Sequence, residues 1–235
     1  GYSTGGEASG NNVTTDGTTV QQGLFGGYAG GSKSSKNNTV TASNTTVRGD
    51  AVGGTSQGGA VEGNKISLNG GSVGGDLKGG LVSVGNANAK GNTAEASGTT
   101  ITKNAYGGQA FGTGHALNNT LKLTGGSVGG NAYGGQSADG DSVSNTLTSN
   151  NTEFGGDVVG GASSNSDALS NIANLSDGKV NGYVYGGKGG KNATTNKVTL
   201  NNVTAKGVIG GYASGGDANG NNVTVNGGKV TQYVI

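Results

Sequence analysis

The chain has 235 residues, of which 54 are glycine, with no Pro, Cys, Met or Trp, and 14 basic residues nearly cancel 13 acidic ones to leave a net charge of +1. Lack of Cys excludes a disulfide framework and a thiolate metal site. Near-neutral charge gives no global drive toward nucleic acid or an anionic membrane, and no apolar run is long enough to span a membrane. Glycine at roughly three times ordinary usage allows a disordered chain. The order of the remaining residues argues against that.

Gly-Gly pairs begin at Gly26, Gly53, Gly79, Gly107, Gly134, Gly160, Gly186 and Gly210. An Asn followed by alternating apolar residues stands at Asn11, Asn38, Asn64, Asn92, Asn119, Asn145, Asn171, Asn196 and Asn221. Both markers keep a spacing near 26 residues, so nine units share one repeat.

Within a unit the elements follow a fixed order. A small residue precedes the Asn (Ala8, Ser35, Val61, Ala89 and their equivalents, with Ser142 in the weak sixth unit). Apolar residues then fall two and four places after it, as in Val40 and Ala42, Ile66 and Leu68, or Leu121 and Leu123. That period of two predicts a strand. A second strand is predicted around the column Val20, Val47, Val73, Ile101, Val128, Phe154, Val180, Ala205 and Val230. A third carries Leu24, Ala51, Leu77, Ala105, Ala132, Val158, Val184, Val208 and Val234, an alignment that needs a one-residue deletion in the eighth unit. A small column (Ala29, Ser56, Val82, Ala110) follows the Gly pair. Gly pairs and Asn-Gly or Asp-Gly steps are expected to supply the positive φ of the corners.

One unit cannot bury its own apolar side, but stacked units can. Each strand then pairs in parallel with its equivalent about 4.8 Å away. Like residues form ladders, and the Asn column is expected to hydrogen-bond side chain to side chain. Crossover handedness adds a right-handed coil. The predicted fold is all-β: a right-handed, single-stranded parallel β-helix of nine coils, three short strands per coil, over residues 1–235. Sandwiches and barrels would show hairpin spacing and no fixed long period. The segment starts and stops at the same point of the repeat. It therefore reads as one solenoid array cut in register from a longer array or from a polymerising unit.

The repeats N-A-Y-G-G-Q-S-A-D-G-D (Asn131 to Asp141) and V-Y-G-G-K (Val184 to Lys188), joined by N-x-V-T-L or N-x-V-T-V-N-G-G-x-V, resemble the Gly/Asn/Thr-rich passengers of Gram-negative autotransporter adhesins. The resemblance implies secretion to the cell surface, and adhesion to host or neighbouring cells or aggregation into biofilm. The partners so implied are a surface glycan, a surface protein or copies of the chain itself. Two other readings remain open: a self-assembling extracellular fibre built by end-to-end stacking, and a carbohydrate-active β-helix enzyme.

The residues point away from catalysis. His115 is the single histidine and sits in a variable loop, without a second His or a Cys to complete a metal or nucleophile site. No acidic cluster forms, and no G-x-x-x-x-G-K-[ST] loop or G-G-x-G-x-D nonapeptide is present. We read the chain as non-enzymatic and without a cofactor. A turn column of Asp50, Asp76, Asn104, Asn131 and Asp157 admits a Ca²⁺ site between Asp50 and Asp76, but its plainer reading is side chains that satisfy turn amides. The column before the Gly pair includes Phe25, Tyr106, Tyr133, Tyr185 and Ile209, and just after the pair stand Tyr28 and Tyr212. By alternation these face outward, so they are expected to form an exposed stripe for binding or packing. Six Lys after Ser170 face only Asp177 and Asp217, which could favour an anionic polysaccharide or simply be solvated.

Overall fold

The computed structural model describes residues 1–235, all in β-strands, corners and loops with no helix. The strands stack in parallel as a β-solenoid of nine turns with the 26-residue spacing of the sequence. A representative coil contains strands Thr120–Thr124, Ser127–Val128 and Ala132–Ser137. These pair residue for residue with the coil before and the coil after, as in Leu121 with Ala94 and with Leu147. Three strands per coil join one continuous sheet, as the columns predict. A fourth, two-residue segment such as Ser142–Val143 forms a separate eight-stranded ladder. It holds the small column before the Asn, too short for alternation to reveal.

Two corners per coil are left-handed. One is the residue before the ladder Asn, and the other lies six places after it. Asn118 (φ 53°) and Gly125 (φ 62°) are one such pair; Asn37 and Asn44, and Thr195 and Asn202, are others. Gly, Asn, Asp, Ser and one Thr share these positions, since left-handed backbone is open to Gly and tolerable for short polar residues. The eight Gly pairs are not corners, contrary to the sequence expectation. They lie inside strands, and none has a positive φ. They are glycine because other atoms come too close. A Cβ on Gly107 would strike the Gly134 carbonyl of the next coil, and one on Gly108 would strike the Asn119 carboxamide.

That carboxamide belongs to a buried ladder. Asn119 Oδ1 accepts from both the amide N–H (3.0 Å) and Nδ2 (3.0 Å) of Asn92, while Asn119 Nδ2 donates to Ala89 O (2.8 Å) and to Asn145 Oδ1 (3.0 Å). The pattern repeats from Asn11 to Asn221. Buried polar groups must be paired, and here each Asn satisfies the coil before it. On one side of this ladder stands the main core of 29 buried residues, all but Val203 drawn from the predicted inward columns. On the other is a small cluster of Val61, Val82, Ala89 and Ala110. Fully buried Ile66, Leu121 and Leu147 each contribute about 1.5–3 kcal/mol by leaving water. The one-residue deletion is visible as a register shift: Val180 pairs with Ala205, but Tyr183 with Gly207.

Candidate functional site

The face that carries the aromatic residues is built by the Gly pairs. In the strand Leu24–Ala29, Leu24 points into the core and Phe25 away from it. The two glycines then let the chain bend, so that the residue three places on also points away from the core. Side chains at these two positions meet across the glycines. Lys188 Nζ lies 5.3 Å from the Tyr185 ring centre, and Val159 and Ala162 share an apolar cluster with Tyr185 and Ile209. The column Asp50, Asp76, Asn104, Asn131 and Asp157 runs along the other side, two residues upstream.

Flanked on both sides, the central column is covered rather than exposed. Tyr106 is 7% exposed, Tyr185 9% and Ile209 6%, and Val52 is fully buried. The expected exposed stripe is thus corrected for these residues: they face away from the core but lie beneath their neighbours. Tyr28 and Tyr133 are half-buried, and only Phe25 and Tyr212 of the seven stand open, at 42% and 45%. The rings are ordered along the axis. Tyr106 and Tyr133 stack at 5.2 Å with planes 6° apart, beside a hydrogen bond from Gln109 Nε2 to Gln136 Oε1 of 2.7 Å. Tyr2 stacks on Tyr28 at 5.0 Å. Burial, with the nearby charge of Asp157, pushes the Tyr185 hydroxyl up to about 12. Burial raises Tyr106 and Tyr133 as well, Asp76 adding to the first and Asp157 to the second.

The Asp/Asn column takes the plainer of its two roles. Asp50 Oδ1 accepts the Asp76 amide (2.9 Å), Asp76 Oδ1 the Asn104 amide (3.0 Å), Asn104 Oδ1 the Asn131 amide (2.9 Å), and Asn131 Oδ1 the Asp157 amide (2.7 Å). Between Asp50 and Asp76, where Ca²⁺ was a candidate, stands the Lys78 ammonium, 3.2 Å from Asp50 Oδ2 and 2.8 Å from Asp76 Oδ2. Burial works to raise the Asp76 carboxyl, but hydrogen bonds from Lys78 and the Asn104 amide, with the Lys78 charge, hold it below its usual value.

His115 belongs to a third ladder that the sequence did not reveal. Its amide donates to Asn88 Oδ1 (2.9 Å), and its Nδ1 accepts the Asp141 amide (2.9 Å). Asp141, Asp167 and Asn192 continue the series. The imidazole therefore does the work of an Asx side chain.

Sequence reasoning also missed Tyr183 and Tyr233. Both stand in the Asp/Asn column after it stops at Asp157, and that break was the available signal. The two rings lie 5.7 Å apart over Gly207, whose missing side chain leaves them room, and Tyr183 is 6.1 Å from Tyr185. Nearby, Tyr133, Gln136, Lys188 and Tyr212 line an open depression of about 310 Å³. No family model, curated protein or solved structure matches this chain.

Proposed function

We propose that the chain is a non-enzymatic, extracellular β-solenoid of a bacterial surface protein that mediates adhesion or aggregation, in the manner of the autotransporter passengers its repeats resemble. The observation that carries this reading is the outer face of the Gly-pair strands. It sets tyrosine, glutamine and lysine side chains in register along a stiff rod, with Phe25 and Tyr212 open at 42% and 45%. Such a face presents a further pair of outward positions about every 4.8 Å, which suits a long surface glycan or an extended protein. Large apolar and aromatic groups held at a surface are a common basis of binding. In this reading the partners are a glycan or protein on a host or neighbouring cell, or a second rod. Neither nucleic acid nor membrane lipid is a partner of this segment.

Beads coated with the chain test the reading. They are expected to adhere to cells or to clump with bacteria displaying the same protein, and Phe25→Ala with Tyr212→Ala should weaken both. Equal adhesion by bare beads, or unchanged adhesion by the variant, contradicts it. Growth of the isolated chain into filaments would favour the fibre reading instead.

A further inference from the structure

The positive charge of the chain is not spread evenly. The whole molecule carries +1, yet after Ser170 six Lys stand against Asp177 and Asp217. None of those six lies within ion-pair distance of a carboxylate; the paired basic residues are Lys36, Lys65, Lys78 and, where protonated, His115. Two of the six, Lys188 and Lys206, come from adjacent coils and stand over aromatic rings. Lys188 Nζ is 5.3 Å from the Tyr185 ring centre, and Lys206 Nζ is 4.9 Å from that of Tyr183. The rings continue on either side, with Tyr233 at 5.7 Å from Tyr183 and Tyr212 edge-on at 6.3 Å from Tyr185.

This arrangement is unlike the lysine in the earlier coils of the same face. Lys78 is covered and neutralised by two carboxylates. Lys188 is exposed and keeps its charge free, held in place by the ring beneath it. Asp157, whose Oδ1 accepts the Tyr183 amide at 2.9 Å, keeps its negative charge beside the cluster, so the two ammonium groups outnumber it two to one there. Gln136 adds a free donor, since its Oε1 accepts from Gln109 and no protein group takes its Nε2 protons. Tyrosine faces accept the C–H face of a sugar ring, and free ammonium groups accept a carboxylate.

We propose that the Tyr183–Tyr185–Tyr212–Tyr233 cluster, with Lys188 and Lys206, is a binding subsite for an acidic polysaccharide, a chain of uronate residues lying along the rod axis. The assignment rests on the adhesive reading and names the chemistry of its ligand. Sugar rings lie against the exposed faces and edges of Tyr212 and Tyr233, and their carboxylates meet the two ammonium groups. The repeat of about 4.8 Å between coils lets successive sugars meet successive coils.

The test is titration of the chain with oligogalacturonate, against a dextran oligomer of equal length and a single-stranded oligonucleotide of equal charge. Oligogalacturonate should bind, and weaken as salt is added, while dextran should not. Lys188→Gln with Lys206→Gln should lower affinity about tenfold, as two partly exposed charged contacts are lost. Tyr212→Ala should also weaken it. Lys179→Gln with Lys229→Gln removes the same charge outside the cluster and should leave affinity within about twofold. Circular dichroism of each variant confirms that the coil stack is intact. Equal losses from both lysine pairs, or equal affinity for the oligonucleotide, would show diffuse attraction for any polyanion and overturn the subsite. Absence of oligogalacturonate binding overturns it too. If beads still adhere to cells in that case, the adhesive reading stands without this ligand; if they do not, both fall.

Discussion

Gly108 and Asn119 face each other inside the coil so closely that a single methyl group on Gly108 would overlap the Asn119 carboxamide. The strand glycine and the buried asparagine are therefore one device. The amide ladder needs a strand without side chains beside it, and the glycine strand needs the ladder to fill the space it leaves. Gly108→Ala is expected to lose about 3 kcal/mol, the upper end of what overpacking a close-packed interior costs. Asn119→Ala should lose about 2–3 kcal/mol, because the Asn92 donors and the Ala89 carbonyl lose their partner. The double variant should lose less than the sum, since the second change removes what the first collides with. Urea titration of the three proteins measures the coupling; strict additivity would contradict the device.

The same pair shows what was legible in the sequence. The period, the inward columns and the hydrogen-bonded Asn ladder could be read because each recurs at a fixed place with one type of residue. The reason for the Gly pairs could not. A glycine kept for close approach and a glycine kept for positive φ look alike in sequence, and here the corners also accept Asn, Ser, Asp and Thr. Alternation placed Tyr106 and Tyr185 on the outer side correctly. It carries no information on whether flanking columns cover that side, and so exposure was misjudged. His115 was hidden because an imidazole nitrogen replaces a carboxamide oxygen in its ladder.

Ser149 stands in an inward column between Leu123 and Leu175, and its hydroxyl is buried without a partner. Burying an unpaired hydroxyl costs stability. Ser149→Ala should therefore raise stability by about 1 kcal/mol, read as a higher urea midpoint with an unchanged slope. A lower midpoint would mean that the hydroxyl has a partner in solution.

Thr195 occupies a left-handed corner at φ 54°, where other coils use Gly, Asn or Ser. A β-branched side chain is strained there. Thr195→Asn should stabilise by about 1 kcal/mol, even after the exposed hydrogen bond to Ser170 is lost. The same exchange at Thr194, the strand residue before it, should bring no gain. A gain at both positions would point away from the corner.

Lys78 joins Asp50 and Asp76 while almost wholly covered. Lys78→Met leaves the two carboxylates facing each other without a cation and should cost about 2 kcal/mol at pH 7. The Asp76 carboxyl titrates below its ordinary 3.8 in the folded chain, so its contribution is present above that pH and is lost as the pH falls through the lower folded value. The gap between parent and variant should therefore narrow below pH 3.8. A gap constant from pH 7 to pH 3 would show that Lys78 acts by packing alone.

The reading of the chain as a discrete adhesive rod is tested most directly by negative-stain electron microscopy of the isolated protein. Nine coils at the spacing of parallel strands predict separate rods about 43 Å long, unchanged in length as concentration rises. Filaments that lengthen with concentration would contradict that reading and assign the chain to a self-assembling fibre.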